Sequence, residues 1–257
     1  MISLRFTGTG ALGSFRCKNK FSKDYRRFPS LCINERILID PSEDLFDFLD
    51  TFSLGDILVN SEDILITHSH LGHFSLSALE KLSGKRSVRI YASEQLGEDI
   101  RSINGASFIP LSPYSPVRIG EFDLIPCPSN HLTDIPGECA FNFFFKGEKN
   151  IFYGLDGAFI HPSAIELVKS IPCDVFVLDC NEGYGDYSAA CAYHNNLEGA
   201  LALRRTLINS GAAQDGARFI LSHLPSYKKE SVHDRLCELT AEYKDVRIAY
   251  DGYYLGI

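Results

Sequence analysis

Nowhere in the 257 residues does an apolar run approach the ~20 that a membrane-spanning helix needs. The opening, MISLRFTGTGALG, has neither the apolar core nor the small-residue cleavage site of a secretory signal. Together these absences lead us to expect a cytoplasmic protein with no membrane partner. Basic charge is short as well: 25 Lys and Arg stand against 33 Asp and Glu, a net charge of −8. That argues against broad binding to phosphate backbones, so a nucleic-acid partner is not expected. One local exception, FRCKNKFSKDYRRF at residues 15–28, is rich in basic residues. It reads as a solvated loop, with a guide for an anionic substrate as the alternative. No two of the eight cysteines are spaced Cys-x-x-Cys, which removes the zinc ribbon from consideration. The chain is too long for the short secreted disulfide frameworks, and residues such as Cys180 in VFVLDC sit in apolar runs. The cysteines are therefore expected to be reduced and structural. Internal repeats, low-complexity tracts and convincing linkers are lacking too, so one domain spanning residues 1–257 is expected.

What is present is a succession of short runs rich in β-branched and aromatic residues, bounded by Gly, Pro, Asp or Asn. They predict strands at 2–6, 31–39, 64–67, 88–92, 122–126, 140–146, 151–155, 174–179, 218–222 and 246–250. Helical periodicity falls at 43–53, 75–83, 94–102, 161–169, 195–209 and 227–243. HPSAIELVKS, with Pro162 early, opens as a helix should. LSPYSPVRIGE, 111–121, reads as a surface loop. Consecutive strands dominate the first half and strands mix with helices in the second. That order predicts an α/β protein of two packed sheets with helices outside, rather than a doubly wound parallel sheet.

Three of the eight histidines, His68, His70 and His73, fall within six positions of THSHLGH, directly after the strand at 64–67. In extended chain, His68 and His70 point the same way, and an H-x-H pair converges on a metal at little cost in chain entropy. Further strand-like runs end in CPSNHL with His131, FYGLDG with Asp156, VFVLDC with Asp179 and FILSHLP with His223. Singly, each is an ordinary loop residue. Together they are what a metal site at the edge of a sheet sandwich requires. His194, in YHNNLEGALALRRTL, reads as a helix-entry residue beside a cap at Asn195 or Asn196. His161 and His233 read as surface residues. Asp251, in YDGYY, reads as a structural turn residue, and GTGALG as a loop at the substrate edge rather than a dinucleotide fingerprint.

The motifs THSHLGH, SNH, YGLDG and SHL, in this order, resemble those of the metallo-β-lactamase superfamily. The resemblance runs from about Gly8 to Gly252. TGTGALGS, RRFPSLCINERILIDPSED and RIAYDG are similar to its branch of phosphoribosyl cyclic phosphodiesterase and ribonuclease Z-like enzymes. The resemblance implies a four-layered αβ/βα sandwich with one or two divalent ions, Zn²⁺ or Mn²⁺, at one edge. His68, His70 and His131 would hold the first ion, His73 and His223 the second, and Asp156 both. Asp40, in LIDPSED, and Asp179 would orient these ligands from behind. The family pattern has an Asp immediately before the third histidine, where this chain has Gly72. That leaves the second ion weakly bound by three protein ligands, lost, or held by a carboxylate brought in from Asp40, Asp179 or Glu182.

The implied activity is that of a phosphodiesterase using a metal-activated hydroxide on a small anionic substrate, with Asp156 and His194 at the reacting centre, where His194 could donate a proton to the leaving group. A lactone or thioester hydrolase is the alternative within enzymes, since the same nucleophile attacks carbonyls. Gly72 favours a further alternative, a metal-dependent binding protein with little turnover. A homodimer stays open.

Overall fold

Phe141, Phe143 and Phe145 alternate with Asn142 and Phe144 in a single strand, and that alternation separates two cores. The odd-numbered phenylalanines lie in the layer between two sheets, and Phe144 lies in the layer beneath the outer helices. We obtained a computed structural model that describes residues 1–14, 16–186, 189–227 and 230–257. The first sheet contains β1 (Ser3–Gly8), β2 (Ser30–Ile33), β3 (Ile37–Ile39), β4 (Asp63–Leu65), β5 (Val88–Ser93) and β6 (Ala106–Leu111). The second contains β7 (Val117–Ile119), β8 (Phe122–Pro128), β9 (Phe141–Lys146), β10 (Ile151–Gly154), β11 (Cys173–Asp179), β12 (Ala213–Ser222) and β13 (Val246–Ile248). A last strand, β14 (Tyr254–Gly256), returns to the first sheet beside β1. The spatial orders are β14-β1-β2-β3-β4-β5-β6 and β13-β12-β11-β10-β9-β8-β7.

Helices α1 (Asp44–Phe52), α2 (Asp56–Asn60), α3 (Leu76–Ser83) and α4 (Gly97–Arg101) cover the outer face of the first sheet. There Phe48, Leu79 and Ile100 pack on Leu38, Ile64 and Ile90. Helices α5 (Pro162–Ser170), α6 (Leu197–Ser210) and α7 (Val232–Leu239) cover the second, with Val168, Leu207 and Leu236 on Phe176 and Phe219. The result is the expected four-layered α/β sandwich. The helix starts follow from local chemistry. Ser75, Asn196 and Ser231 accept from the N–H groups of Ala78, Gly199 and Asp234, satisfying donors that the first turn leaves unpaired. No helix among the described residues is long and apolar enough to cross a membrane.

Several expectations need correction. The run 31–39 is a hairpin, because Asn34 and Glu35 both adopt the left-handed region and turn the chain back on itself. The stretch 111–121 contains β7, whose Ile119 is buried in the central core. The run 94–102 divides into a 3-10 turn, Glu94–Leu96, and α4. The helix expected at 227–243 is only α7; Lys228 and Lys229 lie outside the described residues. The basic stretch is a solvated loop only over residues 16–23 and is buried at its end. Arg26 and Arg27 are fully buried, Arg16 pairs with Asp44, and Lys20 pairs with Asp47. Phe15, its first residue, lies outside the described residues. His233 is likewise buried rather than on the surface. All eight cysteines are free; Cys237 is exposed, and Cys32, Cys127, Cys173, Cys180 and Cys191 are buried.

Candidate metal centre

Strands β3 to β6 run parallel to one another, as do β10 to β13. A parallel strand ends in a loop at the same edge as its neighbours, so residues just after such strands gather there. Asp40 follows β3, Thr67 to His73 follow β4, Asp156 follows β10, Asp179 ends β11 and His223 follows β12. His131 follows β8 and His194 precedes α6. Asp40, Asp156 and His223 all have positive φ, between 50° and 57°, a conformation that Asp and His tolerate better than most residues. Each turns out of its strand at once, which holds its side chain over the sheet edge.

Three histidines meet at one corner. His68 Nε2 is 3.0 Å and His131 Nε2 3.1 Å from His70 Nδ1. Bonds of 2.0–2.1 Å to a tetrahedral zinc place nitrogens about 3.3 Å apart, close to what is seen here. The tautomer of His68 follows from its neighbours. Thr67 donates its single hydroxyl proton to Asp40 Oδ2 at 2.7 Å, so toward His68 Nδ1, 3.0 Å away, it can only accept. His68 therefore carries its proton on Nδ1 and aims the Nε2 lone pair into the cluster. Burial lowers the pKa of His68 well below the usual imidazole range and that of His131 to about 4, leaving both neutral, the ligating form.

Asp156 sits between this corner and a second one. Its Oδ1 lies 3.8 Å from His131 Nε2, 3.7 Å from His194 Nδ1 and 3.5 Å from His223 Nδ1. Asp179 Oδ2 lies 3.1 Å from His194 Nδ1 and 2.8 Å from His223 Nδ1. Burial alone would raise both acids, but the surrounding imidazoles outweigh it and hold Asp156 well below the carboxylate range and Asp179 below it. His73 spans two carboxylates, with Nδ1 2.8 Å from Asp40 Oδ2 and Nε2 2.9 Å from Asp156 Oδ2. Burial disfavours its charge, yet Asp156 and Asp40 push its pKa up to about 10.

The donor set fits divalent ions. His68, His70 and His131 form one group of converging ligand atoms, and Asp156, Asp179, His194 and His223 form another. His131 Nδ1 is buried without a hydrogen-bond partner among the described residues, whereas Asp156 Oδ2 faces His73 Nε2 at 2.9 Å. Two buried carboxylates, Asp156 and Asp179, are costly in such a place unless cations compensate them.

His73 and His223, expected together on the second ion, fall in different groups of converging donor atoms among the described residues: His73 with His68 and Asp156, His223 with Asp156, Asp179 and His194. Asp179, expected behind the ligands or brought in as one, lies in the latter group. Two contributors escaped the sequence reading. Thr67 fixes a tautomer, and Asn195, through its backbone N–H, locks Asp179 Oδ1 at 2.8 Å. A threonine before a histidine and an asparagine after one carry no distinguishing pattern, so no signal pointed to either.

Comparison with known proteins agrees with this architecture. Residues 35–223 match the family model of the beta-lactamase superfamily domain. No curated protein sequence matches significantly. Among solved structures, the metallo-beta-lactamase fold protein YhfI from Bacillus subtilis is similar at TM-score 0.73 and 17% identity, over 99% of this chain and 98% of its own. Zn²⁺-bound PqqB from Methylobacterium extorquens is similar at TM-score 0.70 and 13% identity, over 99% of this chain and all of its own (100%). Unliganded yeast PDE1 is similar at TM-score 0.68 and 13% identity, over 100% of this chain and 99% of its own. At these identities the likeness is one of fold. The family model spans more than half of the chain, and the chain belongs to the beta-lactamase superfamily, with the metallo-beta-lactamase fold.

Proposed function

We propose that this protein is a metal-dependent hydrolase acting on a small anionic phosphodiester. The observation that carries the reading is the position of Asp156, whose carboxylate belongs to ligand groups on both sides of it. Two ions flanking one carboxylate are a common arrangement for displacement at phosphorus. Bound there, a divalent ion would lower the pKa of a water to about 7 and offset charge on the phosphoryl oxygens. The chain's own residues supply the positioning. Asp40 and Thr67 fix the His68 tautomer, and Asn181 and Asn195 pin Asp179 through backbone N–H groups at 3.1 and 2.8 Å. Asp156 and Asp179 bring negative charge that favours a cation in a buried place. The site opens on the side of His70 and His194, whose side chains keep 28% and 18% of their surface exposed, and a substrate would approach there. The choice of phosphodiester over carboxylic ester is supported by the sequence motifs similar to the phosphodiesterase branch and by the fold shared with yeast PDE1. It does not require His194 as proton donor.

The test is hydrolysis of bis-p-nitrophenyl phosphate and of p-nitrophenyl acetate by protein loaded with Zn²⁺ or Mn²⁺. Phosphodiester turnover that chelator abolishes and metal restores is the expected result. Ester turnover alone would replace the phosphodiester with a carbonyl substrate, and no turnover of either would return the protein to a binding role.

A further inference from the structure

We propose that the second ion is held by Asp156, Asp179, His194 and His223, so that Asp179 supplies the carboxylate that Gly72 lacks and His73 is not a ligand. The inference rests on the reading above that the centre takes divalent ions, and it names the ligands of one of them.

The geometry is that of a cage. Two oxygens, Asp156 Oδ1 and Asp179 Oδ2, face two nitrogens, Nδ1 of His194 and Nδ1 of His223. The four oxygen–nitrogen separations are 3.7, 3.5, 3.1 and 2.8 Å. They bracket the roughly 3.3 Å edge of a tetrahedral shell with bonds near 2.0–2.1 Å. The backbone N–H of Asp156 donates to Asp179 Oδ2 at 3.3 Å, which holds the two carboxylates side by side facing both rings. Asp179 is built for such a role. It is fully buried, and its Oδ1 accepts from the backbone N–H groups of Asn181 and Asn195, while Oδ2, which takes the Asp156 N–H, is turned to the cage. Its strand, β11, runs between β10 and β12, so the carboxylate is central between Asp156 and His223.

His73 is placed otherwise. Its Nδ1 is taken by Asp40 and its Nε2 faces the other oxygen of Asp156, Oδ2, so it converges with His68 and Asp156 rather than with His194 and His223. Its ring centre is 5.5 Å from that of His223. Space does not explain the missing acid. A Cβ at position 72 would meet Phe28 at 3.4 Å, an ordinary contact. Two carboxylates on one ion are thus retained, with the second drawn from the opposite sheet.

Equilibrium dialysis against Co²⁺, with metal counted by mass spectrometry and checked by the d–d absorption of the bound ion, tests this. The parent should hold two equivalents. Asp179→Asn and His194→Gln should each hold one, and His73→Gln should keep two. Anomalous diffraction at the cobalt edge on the parent needs no variant, and a second peak within bonding distance of Asp179 and His194 is expected even where a variant fails to fold. A peak bonded to His73 instead, or loss of the second equivalent in His73→Gln but not in Asp179→Asn, would overturn the assignment. A parent that binds one ion or none would overturn it too, and none would take the proposed function with it. Hydrolysis is not read in this experiment. A chain that fills the cage yet turns over no ester therefore supports the assignment while counting against the function.

Discussion

Asp40 shows how one carboxylate can govern a metal site it does not touch. It accepts from the Thr67 N–H at 2.8 Å, from the Thr67 hydroxyl at 2.7 Å and from His73 Nδ1 at 2.8 Å. In Asp40→Asn the amide can donate to Thr67, the hydroxyl proton is released toward His68 Nδ1, and the Nε2 lone pair is no longer guaranteed. Losses of this kind commonly cost about 10–100-fold in metal affinity. We expect that range for the first ion in competition titration against a chromophoric chelator, and an unchanged affinity would reject the tautomer argument. His233, far from this chemistry, makes a prediction in pH. Burial first, and then the charges of Arg26 and Lys23, lower its pKa to about 4 from 6.5, against the opposing pull of Asp24 and Asp234. A histidine depressed in the folded state takes up its proton more readily when unfolded. Its contribution is therefore complete above pH 6.5 and lost as pH falls from 6.5 to about 4, at up to about 1.4 kcal/mol per pH unit. Urea midpoints of His233→Gln should fall less steeply than the parent's across that window. Parallel curves would show that His233 does not titrate there.

The segment from Tyr25 to Pro29 is the element whose role was least visible. Arg27 is sealed between acids: Nη1 donates to Asp251 Oδ2 at 3.2 Å, and Nε to Asp47 Oδ2 at 2.9 Å. Its backbone N–H also donates to Asp251, at 2.9 Å. The segment ties the loop after β1 to the turn before β14, and it passes Gly8 so closely that a Cβ there would stand 1.7 Å from the Phe28 carbonyl. Removing one partner of a buried pair leaves the other charge uncompensated, typically at about 3–5 kcal/mol. Arg27→Met should lose that much in chemical denaturation. Adding Asp251→Asn should cost less than the sum of the two single losses, and strict additivity would mean the pair is not coupled. The sequence announced elements whose residue types match their burial: β11 and the second half of β12, residues 218–222, rich in β-branched and aromatic side chains, and α6 with its cap. It hid β7 behind Pro113 and Pro116, and the hairpin of β2 and β3 behind an apolar pattern that skips Asn34 and Glu35. The histidines and acids of the centre were legible because they punctuate strand ends. Which of them converge into one donor group was not, because His73 and His223 follow strands of different sheets and only packing sets the distance between them.

That division between sheets gives the assembled molecule its own expectation. His68, His70, His73 and Asp40 belong to the edge of the first sheet, whereas His131, Asp156, Asp179 and His223 belong to the edge of the second. Across this edge the backbone offers a tie such as the Phe141 N–H to the Thr67 carbonyl, at 3.0 Å. An ion bound by His68, His70 and His131 therefore fastens one sheet to the other, and it binds only when both are in place. Ligation to the folded state alone stabilises by about 2.7 kcal/mol per site at a hundredfold excess over Kd. In a chain of this size about 1 kcal/mol moves Tm by roughly 2–4 °C. Stripping the metal with a chelator should accordingly lower Tm by about 5–10 °C for one ion and by more for two, with readdition of Zn²⁺ restoring it. The corner histidines set a control: His70→Ala should abolish most of the shift from the first ion while leaving the metal-free Tm nearly unchanged, since this side chain is part-exposed and belongs to none of the three hydrophobic cores. A Tm indifferent to chelator in protein shown to carry metal would mean that the ion rides on one sheet rather than joining the two.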